Sequence, residues 1–323
     1  MKSLITGVAG FIGSKLASKL LEAGHEVIGL DSFSDYYDER LKRQNLANIS
    51  DSDKFSFVSG DLLNVDLNEL LRDVEYIFHQ AGQPGVRKSW GDEFRIYSEA
   101  NILATQRLLE AAKASGDLKR FVYASSSSIY GDAETFPTLE SALPNPISPY
   151  GVSKLAAEHL VTLYGRNFDV PTTSLRYFTV YGPGQRPDMA FTRFLTAALA
   201  GSEIRVFGDG NQVRDFTFVD DIVSANIAAA SADSQYGAIY NVAGGSSVTV
   251  NEVLGTIERI HGNSLNVVHL PVIAGDVFRT GGSTELAGQD LGWKSTTDLE
   301  TGLRLQYEWA KLNHEILTEA TAK

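Results

Sequence analysis

The chain has 323 residues, 43% of them hydrophobic, a net charge of −12 and no cysteine. That length exceeds one typical domain and can bury a large core, while the negative balance argues against a general nucleic-acid surface. Without cysteine there can be no disulfide, thiol nucleophile or cysteine–zinc site. Lys2–Thr6 reads as a short buried strand, so Met1 leads straight into structure and no leader is expected. No apolar run approaches the roughly 20 residues of a membrane span, and a cytoplasmic location is expected. TGVAGFIG then opens a helix with the apolar stripe Phe11, Ile12, Leu16, Leu20 and Leu21, closed by Gly24. Glu26–Leu30, Phe55–Val58, Tyr76–His79, Phe121–Ser125 and Thr172–Tyr177 read as further strands, with helices over Arg95–Lys113 and Pro149–Asn167.

This alternation predicts an α/β fold, a Rossmann doubly wound parallel sheet. After Thr179 the texture changes: glycine and proline cluster through Gly182-Pro183-Gly184, and helix and strand alternate less regularly. The expected division is a cofactor domain over 1–178, rejoined by about 215–232 and 238–244, and a smaller C-terminal α/β substrate domain over most of 179–323. Val213–Asp221 mixes charge and aromatics in a way that also suits an edge strand.

Gly7, Gly10 and Gly13 permit a tight turn and close approach to a pyrophosphate, which the helix N-terminus stabilises through its free N–H groups and dipole. Asp31, closing the second strand, can accept hydrogen bonds from the ribose hydroxyls and would repel a 2′-phosphate. That favours NAD over NADP. A second constellation lies in ASSSSIYG (Ala124–Gly131) and the Tyr150-Gly-Val-Ser-Lys154 that follows. Tyrosine and lysine four apart share one helix face. Lys154 there can stabilise the phenolate of Tyr150, with Ser126 at a strand end to share the substrate's proton. Such a trio suits removal of a hydroxyl proton while hydride leaves the same carbon. None of the six histidines has metal-ligand spacing, so no metal is expected.

TGVAGFIG, the Gly60-Asp61-Leu62 turn, HQAGQPGVR, ASSSSIYG, SPYGVSKLAAE, LRYFTVYGPGQRPDM, RDFTFVDD and the late AGDV span nearly the whole chain. Together they resemble an extended short-chain dehydrogenase/reductase of the NAD-dependent sugar-nucleotide epimerase/dehydratase family. Within it, GVRKSW and YGPGQRPDM most resemble UDP-glucuronate 4-epimerases, with UDP-glucose 4-epimerases the close neighbours. Related 4,6-dehydratases carry Asp-Glu where Ser127 and Ser128 stand, and UDP-glucuronate decarboxylases a glutamate in place of Ser128. The resemblance thus implies epimerisation at C4 of a UDP-sugar by Ser126, Tyr150 and Lys154.

By the same resemblance Gly7, Gly10, Phe11, Ile12, Gly13 and Asp31 bind NAD. Asp61 and Leu62 border its adenine, Gln80 and Ala81 lie near it, and Tyr177 ends a strand below the nicotinamide. Ser127, Ser128, Thr179 and Arg186 are placed around a substrate carboxylate, although Arg186 could instead pair with Asp188. Arg87 lines the sugar pocket, Arg214 binds the diphosphate, Asp276 lies near the uridine ribose, and Val206 and Phe207 pack on uracil. The helices near 95–113 and 149–167 resemble those that pair between subunits, implying an isologous homodimer. GGSTELA departs from the family and leaves Arg279 and Gly281-Gly282 without a role. Three rivals stay open: UDP-glucose 4-epimerase, a net dehydrogenase, and a non-catalytic NAD-sensing module. The last would not need the complete Ser126–Tyr150–Lys154 set.

Overall fold

The computed structural model describes residues 1–272 and 277–321. From the N-terminus run β1 (Lys2–Thr6), α1 (Phe11–Glu22), β2 (Glu26–Asp31), α2 (Glu39–Ala47), β3 (Phe55–Ser59), α3 (Leu67–Leu70) and β4 (Tyr76–His79). Next come α4 (Phe94–Tyr97), α5 (Ala104–Ala114), β5 (Arg120–Ser126), α6 (Pro149–Phe168) and β6 (Thr172–Tyr177). The remainder comprises β7 (Val180–Tyr181), α7 (Ala190–Leu199), β8 (Ile204–Phe207), β9 (Val213–Asp215), β10 (Thr217–Phe218), α8 (Val219–Ser231) and β11 (Ala238–Val242). It closes with β12 (Ser247–Thr249), α9 (Val250–His261), β13 (Val267–Leu270), α10 (Glu285–Leu291), α11 (Leu299–Leu312) and α12 (His314–Thr321).

Seven strands form one parallel sheet in the order β11-β6-β5-β4-β1-β2-β3. The order reverses between β1 and β4, and a doubly wound sheet opens its ligand crevice at that reversal. Both faces are covered, so the central strands are almost wholly apolar and buried: Leu4, Ile5, Ile77, Phe78, Phe121 and Val122 have no exposed surface. The predicted Rossmann architecture is the observed one. Beyond β6 the chain adds the parallel pair β8–β13, with α7 packed against α11, α12 and α9. Segment 213–221 is not one edge strand: β9 pairs antiparallel with β12, β10 pairs with β7, and α8 begins at Val219.

The helix expected over 95–113 is three conformations in succession, with a π-helical turn at Ser98–Leu103 between α4 and α5. Its cause is Asn101, buried at the turn. The Asn101 Oδ1 accepts from Gln83 N at 2.7 Å, and its Nδ2 donates to Gln83 O at 3.1 Å and Ser153 Oγ at 2.9 Å. Widening one turn lets this side chain reach two remote segments.

Candidate active site

The glycine turn sets the first wall of the site. A Cβ on Gly13 would stand 2.2 Å from Gly7 O, so only glycine lets α1 start this close to the strand-to-helix turn. The α1 N-cap, Gly10, makes no side-chain hydrogen bond, which leaves the first-turn N–H groups for an anion. Asp31 Oδ2 accepts from Ala9 N at 3.0 Å and Oδ1 from Phe33 N at 2.9 Å. The carboxylate is thereby fixed in direction, with lone pairs remaining for two ribose hydroxyls.

The second wall is α6. Ser148 caps it by accepting from Gly151 N at 3.1 Å, and Pro149 opens it. A Cβ on Gly151 would come 2.6 Å from Ser128 O, so glycine permits the close approach of α6 to the end of β5. That approach brings Tyr150 beside Ser126. Burial pushes the Tyr150 phenol up from its ordinary value, and Ser126 and the Arg186 charge pull it back. The Lys154 ammonium stands 4.6 Å from the centre of the Tyr123 ring, and burial lowers it to about 7 against the opposing Glu158 charge. Of the charges around the Tyr150 phenol, that of Arg186 opposes the effect of burial.

A cavity of about 360 Å³ lies at the β1–β4 reversal. Gly7, Gly10, Phe11, Ile12, Gly13, Asp31, Asp61, Leu62, Gln80, Ala81, Tyr150, Lys154, Tyr177 and Arg186 all line it. Tyr177 is held in a ring of side chains: its O–H donates to Gln80 Oε1 at 3.2 Å, Gln80 Nε2 to Asn226 Oδ1 at 2.9 Å, and Asn226 Nδ2 to Tyr177 Oη at 2.7 Å. This glycine cradle, helix terminus and oriented carboxylate fit a dinucleotide. Among the described residues no group of His, Asp and Glu could hold a metal ion.

The other sequence-predicted residues lie in several places. Ser127 and Ser128 begin the short turn after Ser126, which caps it by accepting from Ser128 N at 3.1 Å. Arg186 faces the cavity and also pairs bidentately with Asp188, Nε to Oδ1 and Nη2 to Oδ2, each at 2.9 Å. Thr179 is half-buried between β6 and β7, its carbonyl accepting from Thr217 N at 2.9 Å. Arg87 stacks 4.5 Å above the Phe207 ring, joining the loop after β4 to β8. The Val206 side chain points into the core, 2% exposed, because alternation along β8 puts only Phe207 outward of the two. Arg214 donates to the carbonyls of Val213 and Phe278 at 3.0 Å and also to that of Val277. Asp276 lies outside the described residues. Arg279 rests 4.6 Å over the Phe136 ring, and Gly282 bridges to Thr138.

Sequence reasoning missed the loop after β2. Tyr36, Tyr37, Ser34 and Lys42 line the cavity, and Tyr36 O–H reaches Asp188 Oδ2 at 3.5 Å. Lys42 donates to Ser34 O at 2.7 Å and Ser34 Oγ at 3.0 Å. The aromatic pair in SDYYDE was the available signal.

Residues 3–243 match the model of the NAD dependent epimerase/dehydratase family. The chain belongs to that family. It is 42% identical over 304 residues to a protein of Bacillus subtilis (strain 168) described as an uncharacterized UDP-glucose epimerase, covering 94% of this chain and 96% of that one. A UDP-glucuronate 4-epimerase of Thermodesulfobacterium geofontis is 35% identical over 319 residues, covering 97% of each. The crystal structure of UDP-glucuronic acid 4-epimerase from Bacillus cereus, in complex with UDP-glucuronic acid and NAD, superposes with a TM-score of 0.93 at 40% identity, over 97% of this chain and 99% of that one.

Proposed function

We propose that this family member is an NAD-dependent UDP-sugar 4-epimerase, converting UDP-glucuronate to UDP-galacturonate. The observation that carries the reaction type is the placing of Tyr150 and Lys154 on the wall of the glycine-turn cavity with Ser126 hydrogen-bonded to Tyr150, and hydroxyls rather than carboxylates at 127 and 128. NAD, when bound, supplies a hydride acceptor that gives the hydride back within each cycle. Tyr150 takes the proton of the C4 hydroxyl, Ser126 shares it, and the Lys154 charge stabilises the phenolate in the dry interior. Protonated Tyr150 then returns the proton once the opposite face of the 4-keto sugar is presented. Ser127 and Ser128 have no acid or base to drive elimination or decarboxylation. Arg186, whose charge Asp188 reinforces, is the cavity-facing cation suited to bidentate recognition of a sugar carboxylate.

Gly7, Gly10, Phe11, Ile12, Gly13, Asp31, Asp61, Leu62, Gln80, Ala81 and Tyr177 are assigned to NAD; Arg87, Ser127, Ser128, Thr179, Arg186, Val206, Phe207, Arg214 and Asp276 to the UDP-sugar. The cofactor domain is assigned to 1–178 with 215–232 and 238–244, and the rest of 179–323 to substrate. A cytoplasmic homodimer completes the reading. Leu103 at the end of the π turn is 49% exposed, and Val152 and Leu163 of α6 are 45% and 50% exposed, apolar surface that a second copy would cover. Dimeric elution at micromolar concentration is expected, and a strictly monomeric one contradicts the assignment. UDP-glucose epimerisation is the second reading, favoured by the name of the Bacillus subtilis relative. Purified protein is to be incubated with each substrate, without added NAD, and the products resolved. Preference for UDP-glucose removes the glucuronate assignment. Accumulation of NADH on adding NAD would mark a net dehydrogenase instead, and inactivity on both with NAD retained would favour the sensing module.

A further inference from the structure

Directly behind the catalytic trio lies a buried ion pair that the scheme above leaves unused. Glu158 follows Lys154 by one turn of α6, and both are buried. The Glu158 carboxylate accepts from Arg176 on β6, Nε at 2.9 Å and Nη2 at 2.7 Å, and from Ser125 Oγ on β5 at 2.6 Å. Arg176 also donates to Tyr130 Oη at 2.6 Å and Glu140 O at 3.0 Å. Taking two ions out of water costs about as much as their attraction returns, so such a pair is weak as a source of stability. Its position has other consequences. It ties the helix carrying Tyr150 and Lys154 to the strand that ends in Ser126, and it sets a fixed negative charge one turn from the Lys154 ammonium.

Building on the epimerase reading, we propose that Glu158, oriented by Arg176, is a positioning residue for the catalytic trio: it keeps Lys154 protonated inside the protein and holds α6 against β5. The surroundings of Lys154 support this. β5 presents the Tyr123 ring, and β4 presents His79, which burial lowers to about 3 and thus keeps neutral. Tyr150 shares the helix, and Glu99, on the same cavity, is paired with Arg95 at 3.1 Å. Glu158 is the anion that raises Lys154 against the burial that lowers it.

Glu158→Gln keeps the shape and the acceptor for Ser125 but removes the charge and leaves that of Arg176 uncompensated. Both changes favour neutral Lys154, so the limb on which kcat falls with rising pH should move down by about one pH unit or more. Competitive acetylation of Lys154, read on its peptide by mass spectrometry across pH, should shift by the same amount without any turnover. The double variant Glu158→Gln/Arg176→Gln should recover part of the shift, and Ser125→Ala, which alters no charge, should leave both profiles in place. Unmoved profiles in a folded, NAD-retaining Glu158→Gln protein overturn the proposal. Should that variant not fold, the double variant Glu158→Gln/Arg176→Gln, which also lacks the anion, is compared with Ser125→Ala: a downward shift in the former alone is expected, and equal profiles overturn the idea. Absence of epimerisation in the wild type would refute the functional reading, whereas the acetylation profile tests the role of Glu158 regardless.

Discussion

Arg186→His tests the substrate most directly. The Arg186 Nε and one Nη2 hydrogen point at Asp188, leaving the Nη1 amine and the second Nη2 hydrogen for a ligand. The guanidinium is mostly buried, its side chain 19% exposed, so its field is poorly screened by water. A charge-assisted hydrogen bond of this kind contributes about 1.5–3 kcal/mol, or roughly ten- to a hundredfold in kcat/KM for UDP-glucuronate. UDP-glucose offers a neutral hydroxymethyl at the same carbon and should lose no more than a few-fold, about what shape change alone costs. Because the substitution also removes the partner of Asp188, Asp188→Asn serves as the control for loss of that pair. The assay is initial-rate epimerisation of both substrates by wild type and both variants, with NAD content measured on each. Equal losses on the two substrates in Arg186→His would refute the assignment of Arg186 to the carboxylate.

Tyr150→Phe is expected to lower kcat by about a hundredfold or more, the scale of a positioned acid/base, while UDP affinity by calorimetry stays near that of the wild type; normal turnover contradicts the scheme. Denatured pure protein should release NAD(H), and Asp31→Ala should retain less of it, with NADP in the supernatant contradicting the ribose argument. His79 donates and accepts only within the core, bonded to Thr6 Oγ1 at 2.7 Å and Thr105 Oγ1 at 2.9 Å, and burial lowers it from 6.5 to about 3. A base lowered in the folded state contributes stability that is present above its unfolded value and lost as pH falls from about 6.5 towards 3. The fall of Tm over that window should therefore be shallower in His79→Gln, and identical slopes would place the acid sensitivity elsewhere.

Much of the cofactor half was legible in the sequence because its signals are local. Lys2–Thr6, Tyr76–His79 and Thr172–Tyr177 occur as strands with the predicted bounds, since a short apolar run between turn residues forms a buried parallel strand wherever it is placed. The glycine turn, the Asp31 strand end and the shared face of Tyr150 and Lys154 likewise follow from spacing within a few residues. Other features depend on partners far along the chain. The π turn exists because Asn101 meets Gln83 and Ser153, and the loop after β2 reaches the site because Tyr36 meets Asp188. Which residue of β8 faces outward was invisible without its neighbours: the pleat sends the Val206 side chain into the core and leaves Phe207 outward. The charge environment of Lys154 could not be read either. Glu158 is near it in sequence, but Arg176 arrives on β6 and Ser125 and Tyr123 on β5, and desolvation is a property of everything packed around a group rather than of the residues beside it in the chain.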